Sequence, residues 1–365
     1  GVLLIGFAVT DGFDLGVGAL LTLVGKTDDQ RRVMINTVGP HWDGNQVWFI
    51  TAGGAIFAAF PIIYATAFSG LYLALGLTLV ALWMRPLGFD YRSKLDNPRW
   101  RQTWDWLLFA GGFIPALIFG VAFGNMLQGV PFVFDDTLKV TYAGTFWGLL
   151  NPFAILAGLV SVAMLLLHGS VWLQLKTDGE LQSRARNVSV ILGAATAALF
   201  AIAGVWLALG IDGYVITSAV VGDAPSNPLL KIVAREENAW LANYGRYPWM
   251  MLAPVLGIVA PLFAASMALR RSSGWAFVGS SATIAAVILT AGFSMFPFMM
   301  PNSANPSMSL TLWDASSSHY TLEIMFWVAA FFVPLIIAYT SWSFYVMWGR
   351  LSESDVQSGD SRAVY

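Results

Sequence analysis

Gly1-Val2-Leu3-Leu4-Ile5-Gly6-Phe7-Ala8-Val9-Thr10-Asp11-Gly12-Phe13-Asp14-Leu15-Gly16-Val17-Gly18-Ala19-Leu20-Leu21-Thr22-Leu23-Val24 is an apolar run interrupted by two carboxylates and two threonines. At the rise of an α-helix, a run of this length crosses the hydrocarbon core of a bilayer, which is about 30 Å thick. Runs of similar length recur along the 365 residues, of which 57% are hydrophobic and only 11% charged. A soluble domain carries about 25% charged residues, so this chain has too few to cover a wetted surface. A transmembrane barrel would show short alternating segments instead. The composition therefore fixes a polytopic, all-α membrane protein. The net charge of −2 offers no footing for nucleic acid. The absence of cysteine excludes disulfides, thiolate metal sites and iron–sulfur clusters within the chain. The opening run has neither Met nor a basic leader. It reads as a first span that has lost its start, not as a signal peptide.

Nine spans are expected, at about 1–24, 45–64, 66–88, 104–128, 147–173, 187–210, 249–269, 275–297 and 322–348, in a single membrane domain covering 1–365. The second starts earlier, near Val33, if Pro40 is only a kink. The basic residues test this count independently, because Lys and Arg favour cytoplasmic loops. Lys26, Arg31, Arg32, Arg85, Arg92, Lys94, Arg99, Arg101, Lys176, Arg184, Arg186, Arg270, Arg271, Arg350 and Arg362 all fall on one side of a nine-span chain. Only Lys139, Lys231, Arg235 and Arg246 fall on the other. The amino terminus is then outside and the carboxyl terminus cytoplasmic. Two long outer connections, 211–248 and 298–321, are too polar for lipid; the first contains Asp212, Asp223, Glu236, Glu237, Pro225 and Pro228. Leu229 to Leu241 is a candidate short surface helix. Trp83, Trp100, Trp104, Trp106, Trp147 and Trp348, near span ends, suit interface anchors.

Chemistry concentrates at the first two spans. Asp11 and Asp14 are three residues apart and share a helix face. Carboxylates at membrane depth usually face a bundle interior or water. They are either a proton relay or ion site, or buried acids bonded to a neighbouring helix or a partner's Arg. Gly12 and Gly16 permit close helix approach. Pro40-His41-Trp42-Asp43-Gly44-Asn45-Gln46-Val47-Trp48 mixes polar and aromatic residues at the cytoplasmic start of span 2. It is either an interfacial belt with a helix cap, or a proton uptake site with Asp43 as first acceptor. Arg85-Pro86-Leu87-Gly88-Phe89-Asp90-Tyr91-Arg92 closes span 3 with charges that chiefly set topology, Asp90 being paired with a nearby Arg. Gly111, Gly112, Pro115, Gly120 and Gly124 make span 4 a packing surface with a kink, with Asn125 and Gln128 near its outer end. The three histidines, His41, His168 and His319, form no pair on one helix. Haem ligation needs imidazole or Met facing one cavity, so a haem held by this chain alone is disfavoured.

These motifs also carry a resemblance. The segments 10–16, 41–48 and 85–92 are similar, in order, to signatures of subunit II of cytochrome bd ubiquinol oxidases, and Ser309 to Ser317 resembles a later segment of that subunit. The likeness runs from Gly1 to about Arg350. It implies a bacterial plasma-membrane complex that oxidises quinol and reduces dioxygen to water. It places two b-type haems and the d-type haem, with the quinol-oxidising loop, in a partner subunit I, so that no cofactor is ligated by this chain. It implies two four-helix bundles plus one peripheral helix, a structural ubiquinone, and tiny single-span accessory subunits. Asp43 matches a family carboxylate in a proton path, Asp14 matches a nearby acid, and Asp11 joins them as a pathway candidate. Trp42, Asn45, Asp90 and Arg85 become interface or structural residues.

Two rivals remain. A free-standing proton-coupled transporter would share the buried acids, but it would need a substrate cavity, broken helices and often inverted repeats; no repeat is evident. A purely structural subunit would use every acid for packing.

Overall fold

The computed structural model describes residues 1–219 and 226–358. Asp223, Pro225 and Arg362 lie outside the described residues. Eight helices among those described are long and apolar enough to cross a membrane. They are α1 (Val2–Val24), α5 (Tyr72–Tyr91), α6 (Pro98–Gln128), α7 (Pro152–Lys176), α8 (Gly179–Gly210), α10 (Leu252–Leu269, with the turn from Pro248), α11 (Ser273–Met295) and α12 (His319–Val346).

The expected second span is the exception. It is not one helix over 45–64: α3 (Trp42–Ala59) ends at Phe60, and α4 (Pro61–Gly70) starts afresh at Pro61. Proline suits a first helical position, and its missing N–H breaks the ladder there. The first turn of α3 carries Asp43, Asn45 and Gln46, which keeps α3 below the hydropathy of the other eight. The earlier start near Val33 does not occur. Residues Asp28–Val38 form a separate helix, α2, capped by the Thr27 hydroxyl, which accepts from the Gln30 N–H.

Helix starts follow side-chain chemistry. Asn97 caps α6 before Pro98, Asn151 caps α7 before Pro152, and Ser318 caps α12. Glycines set the packing. A Cβ on Gly16 would run into the Leu165 carbonyl and lie 2.9 Å from the Gly169 Cα, so α1 and α7 touch backbone to backbone. On α6, Gly112 lies in the same way against the Leu15 carbonyl of α1, and Gly120 against Ala157 of α7. Small residues permit this approach in lipid, where apolar bulk alone gives no preference for protein over chains. The expected packing surface of the fourth span is thus found, facing α1 and α7.

α1 contacts α3, α6, α7 and α11; α5 lies against α6; α8 and α10 pack with each other, on α7 and α11 respectively. α12 lies outside this set, along α3.

At one end, α6, α8 and α11 each lead into a two-stranded antiparallel ribbon: β1 (Phe132–Phe134) with β2 (Val140–Tyr142), β3 (Gly213–Ile216) with β4 (Val233–Glu236), and β5 (Phe298–Met300) with β6 (Leu310–Thr311). These are small additions to an all-α architecture. The surface helix expected over Leu229 to Leu241 is replaced by a 3-10 turn, β4 and a second 3-10 turn. Val233 to Glu236 finds partners in Ile216 to Gly213, and the ladder wins over an isolated short helix. A five-residue helix, α9 (Ala242–Arg246), follows. Lys231 pairs with Asp314 at 2.6 Å, tying the two long connections together.

The other end carries most of the ion pairs. Asp105, buried at the start of α6, accepts from Arg31 at 2.7 Å and Arg92 at 2.6 Å. Arg92 also reaches Asp28, which in turn pairs with Arg101. A short helix, α13 (Glu353–Ser358), docks on α2 through Gln30 to Glu353 and Gln357 to Asp29.

Candidate functional site

α1 places Asp11 and Asp14 on its buried side, with relative exposures of 0% and 1%. Two neighbouring helices meet them. From α5, Arg85 donates Nη1 and Nη2 to Asp11 Oδ1, and Nη2 to Asp11 Oδ2, each at 3.0 Å. Arg85 is itself buried, and its Nε has no partner. From the first turn of α3, Asn45 donates Nδ2 to Asp14 Oδ2 at 2.9 Å. Asp14 Oδ1 is buried and has no hydrogen-bond partner among the described residues. Two carboxyls and one guanidinium therefore share a buried interior crossed by three helices. Removing one member of such a pair leaves an unpaired charge, at a cost of about 3–5 kcal/mol.

Asp43 sits two residues before Asn45 and is exposed. Residues two apart point to different sides of a helix. Asp43 thus looks outward while Asn45 looks in at Asp14, and Asp43 joins no hydrogen bond or ion pair among the described residues. Trp42 is half-buried and packs on Phe89 of α5, ring centroids 6.1 Å apart. Asn45 and Arg85 are internal and bind within the chain. Asp90 departs from expectation. It is exposed at the end of α5 and joins none of the ion pairs among the described residues, because Arg85 and Arg92 are taken by better-placed acids.

The histidines are occupied elsewhere. His168 uses Nδ1 toward Ser280 Oγ at 2.8 Å and Nε2 toward the Val9 carbonyl at 2.9 Å. His41, before α3, stacks on Phe344 with centroids 4.4 Å apart. Burial, and secondarily the charge of Lys176, lowers its pKa to about 4. His319 is exposed at the start of α12. The described residues contain no group of three His, Cys, Asp or Glu able to hold a metal.

Sequence reasoning missed the Asp11–Arg85 pair. Its signal was present: Arg85 falls inside the third expected span, where only an opposite buried charge makes an arginine tolerable. It also missed Asp105, an acid at the start of an apolar span beside a basic loop, and Trp48, whose buried indole Nε1 lacks a partner.

The sequence model for cytochrome bd terminal oxidase subunit II matches residues 1–347. The chain belongs to that family. Within it, the chain is 54% identical over 357 residues to the cytochrome bd-I ubiquinol oxidase subunit 2 of Escherichia coli strain K12, covering 98% of this chain and 94% of the relative. It is 56% identical over 350 residues to a probable cytochrome oxidase subunit 2 of Haemophilus influenzae, covering 96% and 92%. The Bacillus subtilis cytochrome bd ubiquinol oxidase subunit 2 is 32% identical over 355 residues, covering 97% and 95%. A chain in the structure of the bd oxidase from Geobacillus thermodenitrificans superposes with a TM-score of 0.64 over 95% of this chain and 94% of that one. At 16% identity this shows the shared fold alone. As a subunit II, the chain is part of a respiratory oxidase. The transporter reading loses its footing, since the buried acids it rested on occur here in an oxidase subunit.

Proposed function

We propose that this chain is the haem-free core subunit of a quinol:dioxygen oxidoreductase, and that it supports a haem-bearing subunit I and supplies part of a cytoplasmic proton route. The observation that carries the route is the Asn45 bond to Asp14. It ties the end of α3 that bears exposed Asp43 to a carboxyl wholly inside the chain. Asp43 takes a proton at the membrane surface. Water then passes it inward, since an amide such as Asn45 orients without relaying. Asp14 is the deeper acceptor, with Oδ1 free for that water. Asp11 is held on both oxygens by Arg85 and acts as the fixed counter-charge. One proton on Asp14 leaves the triad neutral, and its departure leaves one net negative charge for the next proton to balance. Uptake from the cytoplasm, with quinol oxidised across the membrane, generates a potential.

The partner-facing side follows from the same geometry. α12 has no fully buried residue in its apolar window and touches the core only through half-buried Val333, Ile336 and Phe344, with α3 beside it, and α3 is the helix that screens Asp14. An exposed face carrying Ile50, Phe57, Phe326, Trp327, Phe331 and Trp342 suits a second membrane subunit. In this arrangement the chain lies in a bacterial plasma membrane, α3 completes nine spans, α1 begins outside, and α12 is the peripheral helix beside two bundles of four. Single-span accessory subunits and a quinone complete the assembly.

The test is Asp43→Asn in the purified complex. Turnover is expected to fall roughly tenfold, by loss of one proton acceptor, with b- and d-type bands intact in the reduced-minus-oxidised spectrum. Wild-type turnover across the pH range removes Asp43 from the route.

A further inference from the structure

At the ribbon end, where α6 finishes and α7 begins, a cleft of about 380 Å3 opens to the surface. Arg235 of β4 and Asp212, just before β3, both line it, and both are exposed. Neither is ion-paired to the other or to any other group among the described residues. A cation and an anion thus line one cleft; Arg235 rests over the Tyr214 ring, 5.5 Å from its centroid, and has no carboxylate partner among the described residues. The deeper polar groups are self-satisfied. Asn125 spends its amide donors on the Val121 and Leu149 carbonyls, and Gln128 on the Gly124 carbonyl and Asn151.

Two apolar grooves leave this cleft. One, of about 230 Å3 and lined without polar surface, runs between α5 and α6 and shares Asn125 and Leu149 with the cleft. The other is a shallow apolar strip on the exposed face of α8, lined by that helix alone, and shares Gly210. On α6 the first descends from Asn125 to Ile114, which is roughly 16 Å at the helical rise. On α8 the second descends from Gly210 to Ala201, roughly 14 Å. Each depth matches one leaflet's share, about 15 Å, of the hydrocarbon core. One charged chamber with two leaflet-deep apolar grooves has the shape of a two-chain lipid.

We infer that this cleft binds a zwitterionic aminophospholipid, with its phosphate on Arg235, its ammonium on Asp212 and one acyl chain in each groove. A quinone is a poorer match: it is neutral and has one tail, so it uses neither the Arg235–Asp212 charge pair nor both apolar strips. The experiment is native mass spectrometry of the whole oxidase complex, delipidated in detergent and re-exposed to phosphatidylethanolamine or to phosphatidylglycerol with the same chains. Wild type and Arg235→Lys are expected to retain one phosphatidylethanolamine, in preference to phosphatidylglycerol. The double variant Arg235→Gln/Asp212→Asn loses it by roughly tenfold or more. Ala122→Trp, which fills the α5–α6 groove and leaves both charges in place, loses it as well. Equal retention by these variants, equal retention of phosphatidylglycerol, or recovery of a quinone in its place overturns the assignment.

Discussion

Asp11 and Asp14 are chemically alike, three residues apart and both buried, yet their partners give them different work. Asp11 faces a guanidinium on both oxygens, whereas Asp14 has one amide and one free oxygen. Asp11→Leu or Arg85→Leu alone strands a charge in the interior. Each is expected to cost about 3–5 kcal/mol and to lower the yield of assembled complex on size exclusion. The double variant Asp11→Leu/Arg85→Leu removes both charges and is expected to recover much of that yield. If the double variant assembles no better than the singles, the pair is not what holds α1 to α5. Asn45→Leu keeps both charges but removes the orienting bond, and leaves Asp14 with no hydrogen bond from the protein. It is expected to slow turnover while assembly survives, as followed by oxygen consumption per haem. His41 behaves differently. Its pKa is lowered to about 4, so it stays neutral where an unfolded histidine, near 6.5, takes up a proton. The unfolded chain then binds more protons between those values, and stability falls as pH falls through that window. His41→Phe, which keeps the stack on Phe344, is expected to flatten the acid side of a thermal-stability profile between about pH 6.5 and pH 4.

Elements are positioned by small residues where helices cross and by charges where they end. Gly16 on α1 and Gly112 on α6 leave no room for a Cβ beside facing backbone. Gly112→Val is expected to push α6 from α1 and to cost about 2 kcal/mol or more, read as a lowered melting temperature of the complex. Gly292→Ala, on α11 with nothing within 4 Å of the added Cβ, is the matched control and is expected to be silent. The spans themselves were legible because each is a long apolar run, and α6, α7 and α12 also start at a capping Asn or Ser. The second was only half legible. Its length fitted a span, but Pro61 restarts the helix, and only the packing of Phe60 and α4 against the β1–β2 ribbon side shows where the break falls. The ribbons were not legible at all, since strands of two to four residues take their order from partners far away in the chain. In the site, Asp11, Asp14, Asp43 and Asn45 stood out as polar residues in apolar or interfacial stretches. Their pairing did not, because which of two neighbouring acids meets Arg85 is decided by helix rotation, which one sequence does not encode locally.

The whole molecule joins these parts into an asymmetric sheath around α1 and α7. One end is laced by the Arg31, Arg92, Arg101, Asp28 and Asp105 network and strapped by α13; the other is capped by ribbons. α12 stays outside, bare and apolar, next to the helix that shields Asp14. Under the proposed function, that face meets the membrane partner and the interior carboxyl of Asp14 serves the proton route. The direct test of this account is Asp14→Asn in the complete oxidase, with oxygen consumption and haem content measured on the same preparation. The account predicts full haem bands and turnover reduced by about a hundredfold, the scale of a lost proton-transfer group. Turnover equal to wild type at full haem content contradicts it.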